Sequence, residues 1–296
     1  MRLRSSSGPA AATPGDGSIP RKTHRADAPL VDATALSEED RDRIAQYQTR
    51  TGASFNTAAI DLGLIDPDAM RQALMRHAEA GQLIDPDATG VDRAVVAAYA
   101  PDDPLSIKLR ELRSSLLTVL DLNRDALSVV VLAGCGTDDT AGVAANLATL
   151  FAQLGKPGIV VDANFDAPAQ DALFGVAADE GATSLLTGGS VRENCVVETP
   201  VPNLDLIAAG AAISGLSEAV ERVSLVEQLR ALRGGYRFAI VDAGNQPADI
   251  VAAIARGADG VLLLAERRQT PMESVRVLMD RLTANDVPVL GSVLVR

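Results

Sequence analysis

From residue 104 onward, short apolar runs alternate with longer stretches in which apolar residues return every three or four positions. The runs 129–133, 159–162, 204–208, 238–242, 261–265 and 289–295 are almost unbroken in Val, Ile, Leu and Ala, the pattern of strands buried on both faces. Between them, 142–153, 215–233, 248–256 and 271–284 carry helical spacing. Leu105, Leu109, Leu112, Leu116 and Leu120 draw one stripe along a helix over 104–120. Strands alternating with amphipathic helices predict an α/β fold with a doubly wound, mostly parallel sheet.

The first third of the chain lacks this rhythm. Residues 1–35 are rich in Ser, Gly, Pro, Ala and Thr and are expected to be a disordered tail, because they hold too little apolar surface to offset chain entropy. The basic cluster Arg21-Lys22-Thr23-His24-Arg25 reads as a solvated tail, with contact to an acidic lipid or a partner as the alternative. Residues 36–80 predict a small helical module. Ser37 before Glu38, Glu39 and Asp40 makes an N-terminus with a cap and acids at the positive end of the dipole. Asp66-Pro67-Asp68 starts a second helix, with Ala69, Met70, Ala73, Leu74 and His77 on one face. The Asp-Pro and Pro-Asp pairs in 81–103 predict a linker, which leaves 104–296 as the α/β domain.

Composition narrows the picture. Aromatic residues are 3 % and Trp is absent, so the core must be aliphatic, as a buried parallel sheet allows. The net charge of −12 argues against nucleic acid as a partner. Cys135 and Cys195 lack metal-ligand spacing and suit a reducing cytoplasm. No run of about 18 apolar residues exists to span a membrane, and Met1–Arg4 precedes no apolar segment of a secretory signal. With only His24 and His77, no Ser-His-Asp triad or His-based metal site is supported. Cys135 near a helix start is either a small packing residue or a thiol of lowered pKa.

The chemistry concentrates where the first strand ends. Gly134-Cys135-Gly136-Thr137-Asp138-Asp139-Thr140-Ala141-Gly142 joins that strand to a helix, the topological place of a phosphate loop. With the following Val143-Ala144-Ala145-Asn146-Leu147-Ala148, the segment resembles the Walker A region of bacterial tyrosine autokinases. These are cytoplasmic partners of exopolysaccharide chain-length regulators and relatives of the MinD/ParA ATPases. The family loop runs Pro-Gly-Glu-Gly-Lys-Ser-Thr. Aligned without gaps, Gly136 stands at the Pro, Thr137 and Asp138 at Gly-Glu, and Asp139 at the second Gly. Thr140 then stands at the Lys, Ala141 at the Mg²⁺-binding Ser and Gly142 at the Thr. The three lysines, Lys22, Lys108 and Lys156, lie elsewhere.

The resemblance extends over about 104–296. Asp162-Ala163-Asn164-Phe165-Asp166-Ala167-Pro168 matches the family's Asp-Ala-Asp-Leu-Arg-Arg-Pro, keeping the first acid. Leu173-Phe174-Gly175-Val176 and 181–188 match scaffold segments. Asp242, ending the strand Tyr236-Arg237-Phe238-Ala239-Ile240-Val241, matches the acid that orders Mg²⁺ through water; an Asp capping the strand end is the other reading. Arg110 and Arg113 match a pattern that mediates ring assembly, with Ile107 at the place of its Glu, so the resemblance implies a homo-oligomer or a hetero-contact, and a plain solvated helix face is the other reading. The family's tyrosine cluster has no counterpart in Tyr47, Tyr99 and Tyr236. Separately, residues 58–74, with Gly63-Leu64-Ile65, Met70, Ala73 and Leu74, resemble the N-terminal domain of type II secretion and pilus ATPases. Some members of that family bind a cyclic dinucleotide; a helical hairpin that docks a partner is the alternative.

The resemblance implies a P-loop-like subunit of exopolysaccharide biosynthesis and export. Its phosphate loop is degenerate, and it acts by binding a membrane-embedded polysaccharide co-polymerase from the cytoplasmic face of the inner membrane. ATP and Mg²⁺, the latter through Asp162 and Asp242, enter only if the divergent loop works. The alternatives are an active tyrosine kinase or ATPase of the same family and a MinD/ParA-like positioning ATPase.

Overall fold

The computed structural model describes residues 37–51, 55–64, 83–122, 126–190, 192–232 and 235–295. The chain divides into two compact units, 1–74 and 75–296.

In the first unit, α1 (Glu38–Thr51) and α2 (Phe55–Asp61) bury Ile44, Ala58 and Ala59 against each other, with Tyr47, Leu62 and Leu64 packed around them. The Ser37 hydroxyl accepts the Asp40 N–H at 3.1 Å, the expected cap. Tyr47 donates its hydroxyl to Asp61 across the pair at 3.0 Å. The tail 1–35, the predicted helix start at Asp66-Pro67-Asp68, and Ile65, Met70, Ala73, Leu74 and His77 lie outside the described residues.

The second unit opens with α3 (Pro86–Thr89), a 3₁₀ turn (Val96–Ala98) and α4 (Pro104–Leu116). The sheet contains β1 (Ser128–Gly134), β2 (Gly158–Asp162), β3 (Val197–Glu198), β4 (Leu204–Ile207), β5 (Phe238–Asp242), β6 (Gly260–Glu266) and β7 (Val289–Val295). Its order is β3-β4-β2-β5-β1-β6-β7. Every pairing is parallel except β3 on β4. Connecting helices are α5 (Thr140–Ala152), α6 (Gln170–Phe174), α7 (Ala182–Thr187), α8 (Leu216–Arg222), α9 (Leu225–Arg230), α10 (Ala248–Ala255) and α11 (Met272–Ala284).

Strand alternation sends the side chains into two cores. Val129, Val131 and Ala133 of β1 pack with α7 to α11 on one face, and Val130 and Leu132 pack with α4, α5 and the segment 91–98 on the other. The doubly wound sheet is therefore as expected, and the C-terminal ends of β1, β2, β5 and β6 share one edge. Chain order reverses beside β1, the usual place of a ligand crevice in such sheets. Among the described residues no helix is long and apolar enough to cross a membrane.

Three local expectations are corrected. The segment 84–103 is packed rather than a linker, with Val91, Val95, Ala97 and Ala98 buried. Its Asp-Pro pairs start helices: Asp85 accepts the Asp87 N–H and Asp103 the Leu105 N–H, with Pro86 and Pro104 in the first turns. On α5, buried Asn146 accepts the Ala97 N–H at 2.8 Å, and Gln153 donates to the Ala97 carbonyl. The helix expected over 104–120 ends at Leu116, although Leu120 stays buried. The helix expected over 215–233 breaks at extended Val223, because the Ser224 hydroxyl accepts the Glu227 N–H and caps a new helix. The two-residue strand β3 was too short to announce itself in the sequence.

Candidate functional site

The loop after β1 is anchored before it turns. Gly134 donates its N–H to the Gly244 carbonyl at 2.8 Å, and Cys135 donates to Leu264 at 2.7 Å, tying the loop to the ends of β5 and β6. A Cβ on Gly134 would lie 2.4 Å from the Thr137 carbonyl oxygen, so the fold-back requires glycine there. Gly136, at φ +73°, donates its N–H to Asn245 Oδ1 at 2.8 Å. Thr137 is buried, and its hydroxyl accepts the Asp139 N–H at a long 3.4 Å. Asp138 and Asp139 are exposed, while Thr140, the first residue of α5, is fully buried and Ala141 and Gly142 are half-buried. Burial raises the Cys135 thiol pKa, which matches a packing role.

No Lys or Arg occurs between Ser128 and Ala152. Lys156 lies beyond the far end of α5, about 20 Å from the loop at helical rise. Arg267 and Arg268 follow β6 at the loop's edge of the sheet and are exposed. Beside the loop, a shallow groove of ≈ 330 Å³ runs along α11, lined by Gly136, Asn245, Glu273, Val277 and Leu278 among others.

The two retained acids stand in a different setting. Asp162 and Asp242 end neighbouring strands directly opposite each other in register, and both are fully buried. One Asp162 oxygen accepts the Asn164 N–H at 3.0 Å, and the other accepts those of Ala169 and Gln170 at 2.8 and 2.9 Å. Asp242 accepts the Gly244 N–H at 3.0 Å on Oδ1 and the Gln170 side-chain amide at 3.0 Å on Oδ2. The same Gln170 nitrogen donates to the Ala141 carbonyl at 3.1 Å.

Burial pushes Asp162 up to about 6; its three backbone donors oppose the shift, and the Asp242 charge adds to it. Asp242 is also raised, again by burial, against the pull of Gln170, Gly244 and Thr140. The Thr140 hydroxyl lies near enough to favour the Asp242 charge, but it meets no partner in hydrogen-bonding geometry.

The structure therefore brings Thr140, Ala141, Asp162 and Asp242 together and leaves Asp138 and Asp139 on the surface. Sequence reasoning missed Gln170, Asn164 and Asn245, whose roles depend on contacts across the sheet. Asn164 packs so close to Gly244 (φ +63°) that a Cβ there would lie 2.2 Å from its Oδ1. Arg113 is corrected: it is buried and donates to the Leu150 carbonyl at 2.7 Å, so it braces α4 on α5 instead of facing a partner. Arg110 is half-buried and donates to the Pro101 carbonyl.

No protein-family model matches the chain. EpsB of Ralstonia solanacearum is 31 % identical over 206 residues, covering 67 % of this chain and 26 % of EpsB. The chain thus spans about a quarter of the length of that relative. YwqD, a tyrosine-protein kinase of Bacillus subtilis, is 25 % identical over 207 residues, covering 69 % of this chain and 86 % of YwqD. Among solved structures, the BceF tyrosine kinase domain superposes with a TM-score of 0.60 at 25 % identity, over 77 % of this chain and 97 % of that one. The kinase domain of the Escherichia coli tyrosine kinase ETK gives 0.61 at 23 % identity, over 68 % and 78 %.

Proposed function

Since the α/β unit belongs to the bacterial tyrosine-autokinase family, we propose that the chain serves exopolysaccharide biosynthesis by binding rather than by phosphoryl transfer. One observation carries this reading: the loop 134–142 holds no cation and exposes Asp138 and Asp139. A carboxylate about 4 Å from a phosphate charge costs roughly 4 kcal/mol at an effective dielectric near 20. The missing Lys removes an attraction of similar size. Phosphoryl transfer depends on stabilising charge at this point, so it suffers more than binding does.

Magnesium fits the residues no better. Ala141, at the hydroxyl position, has no side-chain ligand, and the Asp162 and Asp242 oxygens accept hydrogen bonds from the protein itself. On this reading the Walker A loop is degenerate and the chain is a pseudokinase. It sits at the cytoplasmic face of the inner membrane against a membrane-embedded chain-length regulator.

Co-purification from native membranes tests both halves. The tagged full chain is expected to recover such a regulator equally with and without added ATP. Transfer of labelled phosphate from ATP to tyrosine by the pure chain, lost in Asp242→Ala, contradicts the reading, as does failure to recover any membrane protein of polysaccharide assembly.

A further inference from the structure

Gln170 is fully buried and ties three elements together. Its backbone N–H reaches Asp162 on β2, and its side-chain amide reaches both Asp242 on β5 and the Ala141 carbonyl in the first turn of α5. Both side-chain N–H groups are used, each on an oxygen far away in sequence. The oxygens drawn to this residue are two carboxylates and a carbonyl, with the unpartnered, buried Thr140 hydroxyl beside Asp242. Such an all-oxygen set is what a hard divalent cation takes. The amide supplies protons where a cation would supply charge, and it leaves its own oxygen, Gln170 Oε1, buried without a partner.

We infer that Gln170 is an internal plug: its side-chain amide occupies the junction of Asp242 and the first turn of α5 and closes the acid pair to divalent cations. The inference rests on the reading that the site does not operate with Mg²⁺ and ATP, but it needs no nucleotide to test. Shortening the side chain frees Asp242 Oδ2 and the Ala141 carbonyl together. Replacing it with Glu keeps the length, removes both donors and adds a third buried carboxylate, which demands a cation or a proton.

The experiment is Mn²⁺ titration of the full chain, without nucleotide, followed by electron paramagnetic resonance, on the unmodified protein, Gln170→Ala and Gln170→Glu. Circular dichroism checks the fold of each. The unmodified chain is expected to bind no stoichiometric Mn²⁺. At least one variant is expected to bind one ion per chain at least tenfold more tightly, with that binding lost on adding Asp242→Asn. Stoichiometric Mn²⁺ on the unmodified chain that Asp242→Asn removes overturns the plug. So do folded variants that bind no more Mn²⁺ than the unmodified chain. Neither result depends on ATP, so the plug fails separately from the proposed function.

Discussion

The loop after β1 and the acid pair ending β2 and β5 sit at one edge of one sheet, but they answer to different forces. The loop's Asp138 and Asp139 face solvent, and neither carboxylate is spent on capping α5. Asp162 and Asp242 are fully buried and organise the chain around them. Asp162 alone gathers three backbone N–H groups from the turn that leads into α6. An aspartate at the place of a metal ligand therefore does not by itself indicate a metal, since here it has structural work to do. The exposed Asp138 and Asp139 have no such constraint and can change without disturbing the fold.

The comparison predicts unequal costs. Asp162→Ala leaves three N–H groups without their acceptor, and urea unfolding should show a loss of about 3–5 kcal/mol, given roughly 1–3 kcal/mol for each unsatisfied buried group. Asp138→Asn with Asp139→Asn should stay within about 0.5 kcal/mol in the same assay, as exposed substitutions do. Equal costs would break the contrast.

A second test uses pH. The Asp162 pKa is raised to about 6 in the fold from an ordinary 3.8. The folded state therefore binds its proton more tightly, and the contribution of this group to stability rises as pH falls from about 6 to 4. The difference in unfolding free energy between the unmodified chain and Asp162→Asn should grow over that window by about 3 kcal/mol at most. A flat difference would mean that Asp162 is ionised normally.

A more modest effect lies where the two regions meet. Asn245 follows β5 and accepts the Gly136 N–H. Asn245→Ala should cost about 1 kcal/mol and speed hydrogen exchange at Gly136 without changing exchange in β5.

The sheet was legible because its apolar runs are nearly unbroken and its helices carry clear stripes. Residues 84–103 misled because Asp-Pro serves both turns and helix starts, and the buried Val91, Val95, Ala97 and Ala98 are few and small. Arg113 lies on a helix whose neighbours look solvated, and only the approach of α5 reveals the Leu150 carbonyl as its partner. Strand ends placed Asp162 and Asp242 correctly. Gln170 stayed hidden because its contact to Asp242 spans 72 residues, and nothing local distinguishes it from a surface glutamine.

Calorimetric titration of Mg²⁺-ATP into the pure full chain tests the central claim most directly. A phosphate loop without a cation and with two exposed acids predicts no saturable heat up to millimolar ligand. One-to-one binding in the micromolar range, abolished by Asp242→Ala, would contradict it.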